Sequence, residues 1–449
     1  MNKNKLFQWS VVAALAGFIF GFDTVVISGA NQPIKYLWHT STLFHGIFIM
    51  SMALWGTVVG ALFGGIPAEK YGRKKVLLWV GILFAASAFG SALATGPYMF
   101  SFFRFIGGLG IGISSVVAPT YISEISTPAT RGRLGAMYQF NIVFGILIAF
   151  LSNYFLKGVG GENDWRWMLG VLAIPSAIYT AMVLGVPESP RWLITRKNDQ
   201  EAAKKILRDL GITDTNAEIA TIIESNKHEA TSGTTSDFFS AKHSKIIWLA
   251  FFIAFFNQLS GINFILYYAP EILSRIGLGE KESLLNSIAI GGTNLIFTFV
   301  GLYLIDRLGR KTLMIIGSLG YIISLGMVAY AFKAHASPGF LMVFLLIFIA
   351  SHAVGQGAVI WVFISEIFPN KIRALGQSFG ASIHWIFAAI ITLITPVFLD
   401  KDNGILKDDP WIIFAFLASM MVLQLVWVLT KMPETKNVSL EDLEKKLIS

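Results

Sequence analysis

The sequence reads as an all-α integral membrane protein: twelve transmembrane helices in two six-helix halves, with a short cytoplasmic helical segment between them. Three observations lead there. Hydrophobic residues make up 54% of the 449 positions and charged residues 14%, against about 25% charged in soluble domains. So little charge cannot cover a water-facing surface, and much of the chain must face lipid. The apolar residues fall into twelve stretches, each near the ~20 residues that cross a bilayer as a helix. Short motifs also recur in one order in the two halves. A cytosolic enzyme, a secreted disulfide scaffold and a disordered chain are excluded by this composition. Cysteine is absent, and the seven histidines show no ligand spacing, so no disulfide, thiol or metal site is expected.

In chain order, the apolar cores lie at 8–30, 44–66, 76–95, 98–121, 134–157 and 167–186. After a polar stretch they resume at 246–274, 282–305, 312–332, 338–366, 374–399 and 410–431. Met1 to Lys5 before the first core resembles a signal-peptide start, but no A-x-A site follows, so an uncleaved first helix is expected. With the N-terminus inside, 26 Lys and Arg fall on the cytoplasmic side, 8 on the other, and Arg104 within a span. That bias puts both termini in the cytoplasm of a multi-pass protein of the cytoplasmic (inner) membrane. It also accounts for the net charge of +8 without a nucleic-acid partner.

The domain reading follows: an N-terminal half at 1–186, a cytoplasmic linker at 187–245, a C-terminal half at 246–432 and a cytoplasmic tail at 433–449. In the linker, Ala203, Ile206, Leu207 and Leu210 share one helical face, as do Ile219, Ile222 and Ile223, which predicts short amphipathic helices. In the tail, Ser439 and Asp442 stand at capping-box spacing before Leu443.

Three landmarks repeat. Gly72-Arg73-Lys74 returns as Gly309-Arg310-Lys311. Ser123-Glu124-Ile125, with Arg131 seven residues after the Glu, returns as Ser365-Glu366-Ile367 with Arg373. Pro187-Glu188-Ser189 returns as Pro433-Glu434-Thr435. Repetition in one order indicates duplication, and duplicated transporters bind substrate near the midplane and alternate by rocking one half against the other. Arg73, Glu124, Arg131, Glu188, Arg310, Glu366 and Arg373 therefore form a candidate inner-gate charge network. Exposed pairs are worth only about 0–1 kcal/mol each, which suits a latch that opens every cycle. Positive-inside decoration alone explains neither the repeated spacing nor the glutamates.

These motifs carry a resemblance. With D-R-L-G-R-K at 306–311, P-E-S-P-R-W at 187–192, P-E-T-K at 433–436, G-F-D at 21–23, R-F-I-G-G at 104–108 and G-I-N-F-I-L-Y-Y-A-P at 261–270, the chain resembles the sugar porter family of the major facilitator superfamily. Bacterial proton-coupled xylose, galactose and glucose symporters and animal glucose facilitators are similar. The resemblance implies the major facilitator fold.

Asp23 and Arg104 are the formal charges nearest the middle of any span. A charge there costs about 2.5–3.5 kcal/mol or more, so the two should face a cavity or each other. A carboxylate caught between desolvation and a neighbouring Arg suits proton exchange; a static ion pair is the plainer alternative. The resemblance implies that this Asp and Arg couple transport to a proton, since the family's uniporters typically carry Asn instead.

A sugar ring needs amides at its hydroxyls and aromatic planes on its faces. The spans supply Gln139, Asn141, Asn257, Gln258, Asn263, Asn294, Trp361, His384 and Trp385, with Gly261 at a point where a helix can break. The glycines at 107, 108, 110 and 112 read as a helix-packing stripe. By resemblance, Gln139, Gln258, Asn263, Asn294, Trp361 and Trp385 match sugar contacts, and Tyr267 and Tyr268 an outer gate. Four positions depart from the family pattern: Asn257 and His384 replace usual amides, Ile146 is apolar where the xylose-specific relative has Gln, and Ala358 replaces the span-10 proline. Loss of that proline is expected to stiffen the helix. The expectation is a monomeric proton-coupled monosaccharide symporter embedded in the lipid bilayer, importing glucose or a related hexose ahead of xylose. No catalytic residue, metal or cofactor is expected beyond the proton as coupling ion, and the chain is not an enzyme. A facilitative sugar uniporter on the same fold is the alternative.

Overall fold

The computed structural model describes residues 3–229 and 235–438, together with Leu443, Glu444 and Leu447. Ser439 and Asp442, the expected capping box of the tail, lie outside the described residues. Among the described residues all regular structure is helical.

Among the described residues eleven helices are long and apolar enough to cross a membrane, and twelve if a bent pair counts as one span. The first six spans are Asn4–Trp38, the pair Thr42–Met50 and Met52–Phe63, Arg73–Ala92, Pro97–Ile125, Thr130–Leu156 and Gly161–Leu184. The second six are Ala241–Ser274, Glu280–Leu308, Arg310–Lys333, Pro338–Ile367, Arg373–Leu399 and Trp411–Thr430. Each overlaps one expected core. The helical conformation satisfies every backbone group within the segment, which is what hydrocarbon demands. The second span bends by 41° where a π-turn, His45–Met50, meets Met52–Phe63.

Two further spans are interrupted. The seventh breaks at Gly261, whose φ of +87° favours a residue without a Cβ. The tenth divides into Pro338–Val354 and Gln356–Ile367. Its joint, Gly355, has φ −86° and ψ −100°. The expectation of a stiffened tenth span is therefore corrected: the helix breaks three residues before Ala358, without the proline. The cause is packing. Gly355 crosses Gly317 so closely that a Cβ on Gly355 would stand 2.9 Å from the Gly317 Cα. Beside the break, the buried Gln356 amide donates to Gln424, which donates to Ser318 Oγ at 2.7 Å.

By packing, the chain forms two compact units. The first comprises Met1–Thr24, Trp55–Ile146 and Leu169–Ser232, and the second Val25–Leu54, Leu147–Met168 and Gly233–Ser449. In the first unit the linker helices Gln200–Asp209 and Thr215–Glu229 close a small core of Ile194, Ala203, Leu207 and Ile219, with Leu193, Ile212, Ile222 and Ile223 packed against it. The amphipathic pattern read from the sequence supplies most of these residues.

Candidate functional site

In the first unit Asp23 and Arg104 meet. Arg104 Nη1 donates to Asp23 Oδ1 at 2.5 Å and Nη2 to the Asp23 carbonyl at 3.2 Å, and each residue is 1% exposed. A paired, hydrogen-bonded charge is the form in which ionised groups persist in an apolar interior. Asp23 Oδ2 and Arg104 Nε have no partner among the described residues. Oδ2 lies against Gly107, where a Cβ would approach it to 3.4 Å. The missing Cβ at Gly107 makes room for Ser87, whose Oγ it would otherwise approach to 2.3 Å. The same unit holds Gln139, half-buried, and Ile146, buried, on helix Pro128–Leu156. Seven residues apart, they lie on one helical face.

In the second unit the amides and aromatics form one cluster. Asn263 Nδ2 donates to Gln258 Oε1 at 2.8 Å. Gln258 Nε2 donates to Asn257 Oδ1 at 3.0 Å and reaches the His384 ring at 3.2 Å. The His384 ring lies 5.0 Å from Trp361 and 4.8 Å from Trp385, centroid to centroid. The break at Gly261 makes this possible, because it places Asn263 on Ile262–Ser274, turned from the helix Ser244–Leu259 that carries Asn257 and Gln258. Among the described residues no hydrogen bond occupies Asn257 Nδ2 or Asn263 Oδ1. Trp385 is buried, whereas Trp361 is 39% exposed. Asn294 is buried in the eighth span, and no hydrogen bond joins its side chain to the cluster among the described residues.

Tyr267 and Tyr268 are fully buried. Tyr268 leaves helical geometry at φ −115° and ψ 15°, two residues before Pro270, and its hydroxyl donates to the Thr392 carbonyl at 2.9 Å.

The repeated charges assemble twice, once in each unit. Arg73 binds Glu124 through Nε at 3.0 Å and Nη2 at 2.9 Å, and Glu69 through Nη2 at 2.5 Å. Arg310 binds Glu366 through Nε at 3.1 Å and Nη2 at 2.7 Å, with Asp306 at 3.4 Å. Glu188 and Glu434 act differently, since each carboxylate caps a helix N-terminus. Glu188 accepts from the backbone N–H of Arg73 at 2.8 Å and Lys74 at 3.1 Å; Glu434 accepts from Arg310 at 2.9 Å and Lys311 at 3.0 Å. These are otherwise unpaired donors at the positive end of a helix dipole. Gly72 and Gly309 precede them with φ of +100° and +89°, and a Cβ at either would strike the capping carboxylate. The G-R-K and P-E-S/T motifs are thus two halves of one contact. Burial alone would raise the Glu434 carboxyl, but four backbone N–H groups hold it below the usual carboxylate range.

Arg73 and Arg310 are 6% and 8% exposed, so the low worth of exposed pairs does not apply to them. Arg131 is exposed and has no ion pair among the described residues, and Arg373 donates through Nε to the Phe368 carbonyl at 3.2 Å. Among the described residues no ion pair joins Arg131 to Glu124, seven positions before it. Glu69, Asp306, Glu434 and Thr435, whose hydroxyl donates to Glu366 at 2.6 Å, were missed as site residues. The signal for the first two is an acid four residues before each repeated arginine, in E-K-Y-G-R-K and D-R-L-G-R-K.

A second set escaped the sequence reading entirely. Asn31 donates to Glu271 Oε2 at 2.8 Å and meets His45 Nε2 at 2.7 Å; His45 Nδ1 meets Thr40 Oγ1 at 2.8 Å. Lys35 pairs with Asp400, both buried. Burial would raise the Asp400 carboxyl, but Lys35 and two backbone N–H groups hold it below the usual range. These charges lie at the edges of apolar runs, where sequence shows an ordinary boundary.

The chain matches the family model described as "Sugar (and other) transporter" over residues 9–447. It is 36% identical to the arabinose-proton symporter of Bacillus subtilis (strain 168), over 97% of this chain and 94% of that protein. It is 32% identical to the D-xylose-proton symporter of Escherichia coli (strain K12), over 99% and 96%. The glucose transporter GlcP of Staphylococcus epidermidis is 33% identical over 100% and 98%. Among solved structures, the inward-open xylose transporter XylE from E. coli superposes with a TM-score of 0.85 at 30% identity, over 98% of this chain and 100% of that one. Sequence, helix order and motifs agree: the chain belongs to the sugar transporter family, with the major facilitator fold.

Proposed function

We propose that this protein imports a neutral monosaccharide together with a proton by alternating access, with both termini in the cytoplasm of the inner membrane. The observation that carries the coupling is the buried Asp23–Arg104 pair. Oδ1 holds the guanidinium while Oδ2 is left without a partner among the described residues. A proton can add to Oδ2 and cancel the carboxylate charge without first removing a ligand. One proton moving through 100 mV yields about 2.3 kcal/mol, enough for roughly 40-fold accumulation of a neutral sugar at about 1.4 kcal/mol per decade.

The substrate reading rests on Gln258, Asn263, Asn257 and His384 with the Trp361 and Trp385 rings, a stock of donors, acceptors and planes suited to a polyol. Gln139 and Asn294 serve as further contacts, and Tyr267 and Tyr268 close the outer side. Relatives named for arabinose, xylose and glucose support a monosaccharide. Ile146 favours glucose or a related hexose over xylose. The protein works as a monomer, with no cofactor besides the proton and no catalysis.

Uptake of labelled D-glucose, D-galactose, D-xylose and L-arabinose into proteoliposomes tests this. At least one aldose accumulates when the outside is acidified, and a protonophore abolishes the accumulation. Transport of no aldose refutes the substrate class; aldose uptake that ignores the pH gradient makes the protein a uniporter.

A further inference from the structure

Glu271 is a carboxylate inside the second unit that no cation pairs with among the described residues. It is 8% exposed, and its hydrogen-bond neighbours are the uncharged amides of Asn31, at 2.8 Å, and Gln32. The charged and titratable groups packed around it are engaged elsewhere. On its own helix, Arg275 donates to the Leu399 and Lys407 carbonyls, and Tyr268 donates to the Thr392 carbonyl. From the first span, Lys35 pairs with Asp400, just past the eleventh. In the second span, His45 bonds to Asn31 and Thr40. On the eighth, Glu280 pairs with Lys157. A carboxylate taken out of water is held by a countercharge or neutralised by a proton. With the cations committed, the proton is the partner left for Glu271. Glu271 and Gln32 also line a cavity of about 780 Å³, ample for the water that would deliver it.

Position links this carboxyl to the sugar cluster. Glu271 stands eight residues after Asn263 on Ile262–Ser274, the short helix that starts at the Gly261 break. Its bond to Asn31 ties the far end of that helix to the first span, while Tyr268 on the same helix holds Thr392. A hydrogen bond to an ionised acceptor is roughly twice as strong as a neutral one, so a proton on Glu271 loosens the tie.

We infer that Glu271 is a second proton site of the transport cycle, loaded from this cavity, and that its charge ties the Ile262–Ser274 helix to Asn31 while the outer side is closed. Acid outside releases the tie and admits sugar. The inference rests on the symport reading and its membrane orientation.

Exchange of labelled D-glucose, D-xylose and L-arabinose by the full-length protein in proteoliposomes, over a range of external pH, tests it. Asp23→Asn removes the other titrating carboxylate. In that background, for the sugar that is transported, the external KM falls roughly 5-fold as the outside is acidified and the charge-assisted bond becomes a neutral one. Adding Glu271→Gln gives the low KM at every pH. Adding Asn31→Leu instead cuts the tie and keeps the carboxyl; it also gives the low KM throughout, and serves where the glutamine variant does not fold. With Asp23 intact, Glu271→Gln lowers the external KM on the alkaline side and still accumulates sugar under an acid-outside gradient. A KM in Asp23→Asn that ignores pH, a pH dependence that survives Glu271→Gln, or an unchanged alkaline KM in Glu271→Gln alone overturns the second proton site and leaves the symport reading intact. Exchange of none of the three sugars by the wild type overturns both.

Discussion

Asp23 is the residue on which coupling turns. Asp23→Asn preserves size and removes titration. The variant is expected to bind sugar and exchange it across the membrane, yet to lose accumulation driven by a pH gradient. Arg104 then lacks a charge partner, and breaking a buried pair costs about 3–5 kcal/mol, so thermal unfolding with and without sugar is measured alongside uptake. A stable, sugar-binding variant that still concentrates sugar under an acid-outside gradient removes the coupling role. The pair was legible because a charge inside an apolar run is conspicuous. The capping role of Glu434 was not, because its partners are backbone N–H groups that sequence does not display. Its stabilising effect is present at neutral pH. It is complete above the range where an ordinary carboxyl protonates, near pH 4.3, declines as pH falls below that, and is gone once pH has passed through its own lowered value. The difference in thermal stability between wild type and Glu434→Gln should therefore vanish only in that more acid range.

Helices whose interruptions carry function were read unequally. Gly261 announced the break in the seventh span, being a glycine between amides in an apolar run. The break in the tenth was hidden because it depends on Gly317, in another helix, and on Gln424, in a third. In the tenth span Gln356 donates its amide N–H to Gln424 Oε1, and Trp361 follows five residues after Gln356. Gln356→Leu leaves Gln424 Oε1 without its donor while its Nε2 keeps Ser318, a loss of about 1–3 kcal/mol. Gln356→Leu with Gln424→Leu should recover much of that stability. If the paired amides also set the angle of the Gln356–Ile367 helix, sugar affinity stays reduced in the double variant although stability returns. A double-mutant cycle on unfolding, with parallel sugar titration, separates the two effects.

For the molecule as a whole, composition and repetition sufficed for twelve spans, because hydrocarbon admits few backbone solutions and hydropathy reports them directly. The assembly of the site was less legible. Seven residues were grouped as one charge network from spacing alone. Packing instead buries Arg73 and Arg310 in separate sets, uses Glu188 and Glu434 as helix caps, and leaves Arg131 exposed. Arg73→Ala should lower stability by up to about 3–5 kcal/mol, the cost of stranding the nearly buried Glu124 carboxylate, and Arg310→Ala by less, because Glu366 is 21% exposed and keeps the Thr435 hydroxyl, whereas Arg131→Ala should leave unfolding within about 0.5 kcal/mol of wild type. Equal effects in all three would contradict this division. The proposed orientation is open to a labelling test, since the wild-type chain offers no thiol. Thr213→Cys should react with an impermeant maleimide only from the cytoplasmic side, and Asn403→Cys only from the outside.

The Glu434 cap also governs where the polypeptide tolerates a cut. Lys431 is exposed and lies before the cap, whereas Lys436 lies after it and donates to the Arg307 carbonyl at 2.6 Å. A trypsin nick after Lys436 leaves the carboxylate attached to its own helix. A nick after Lys431 frees Glu434 and Thr435 to dissociate, baring two helix donors and the Arg310–Glu366 pair. The two digestion products, though they differ by only five residues, should part company on heating, the shorter one unfolding first.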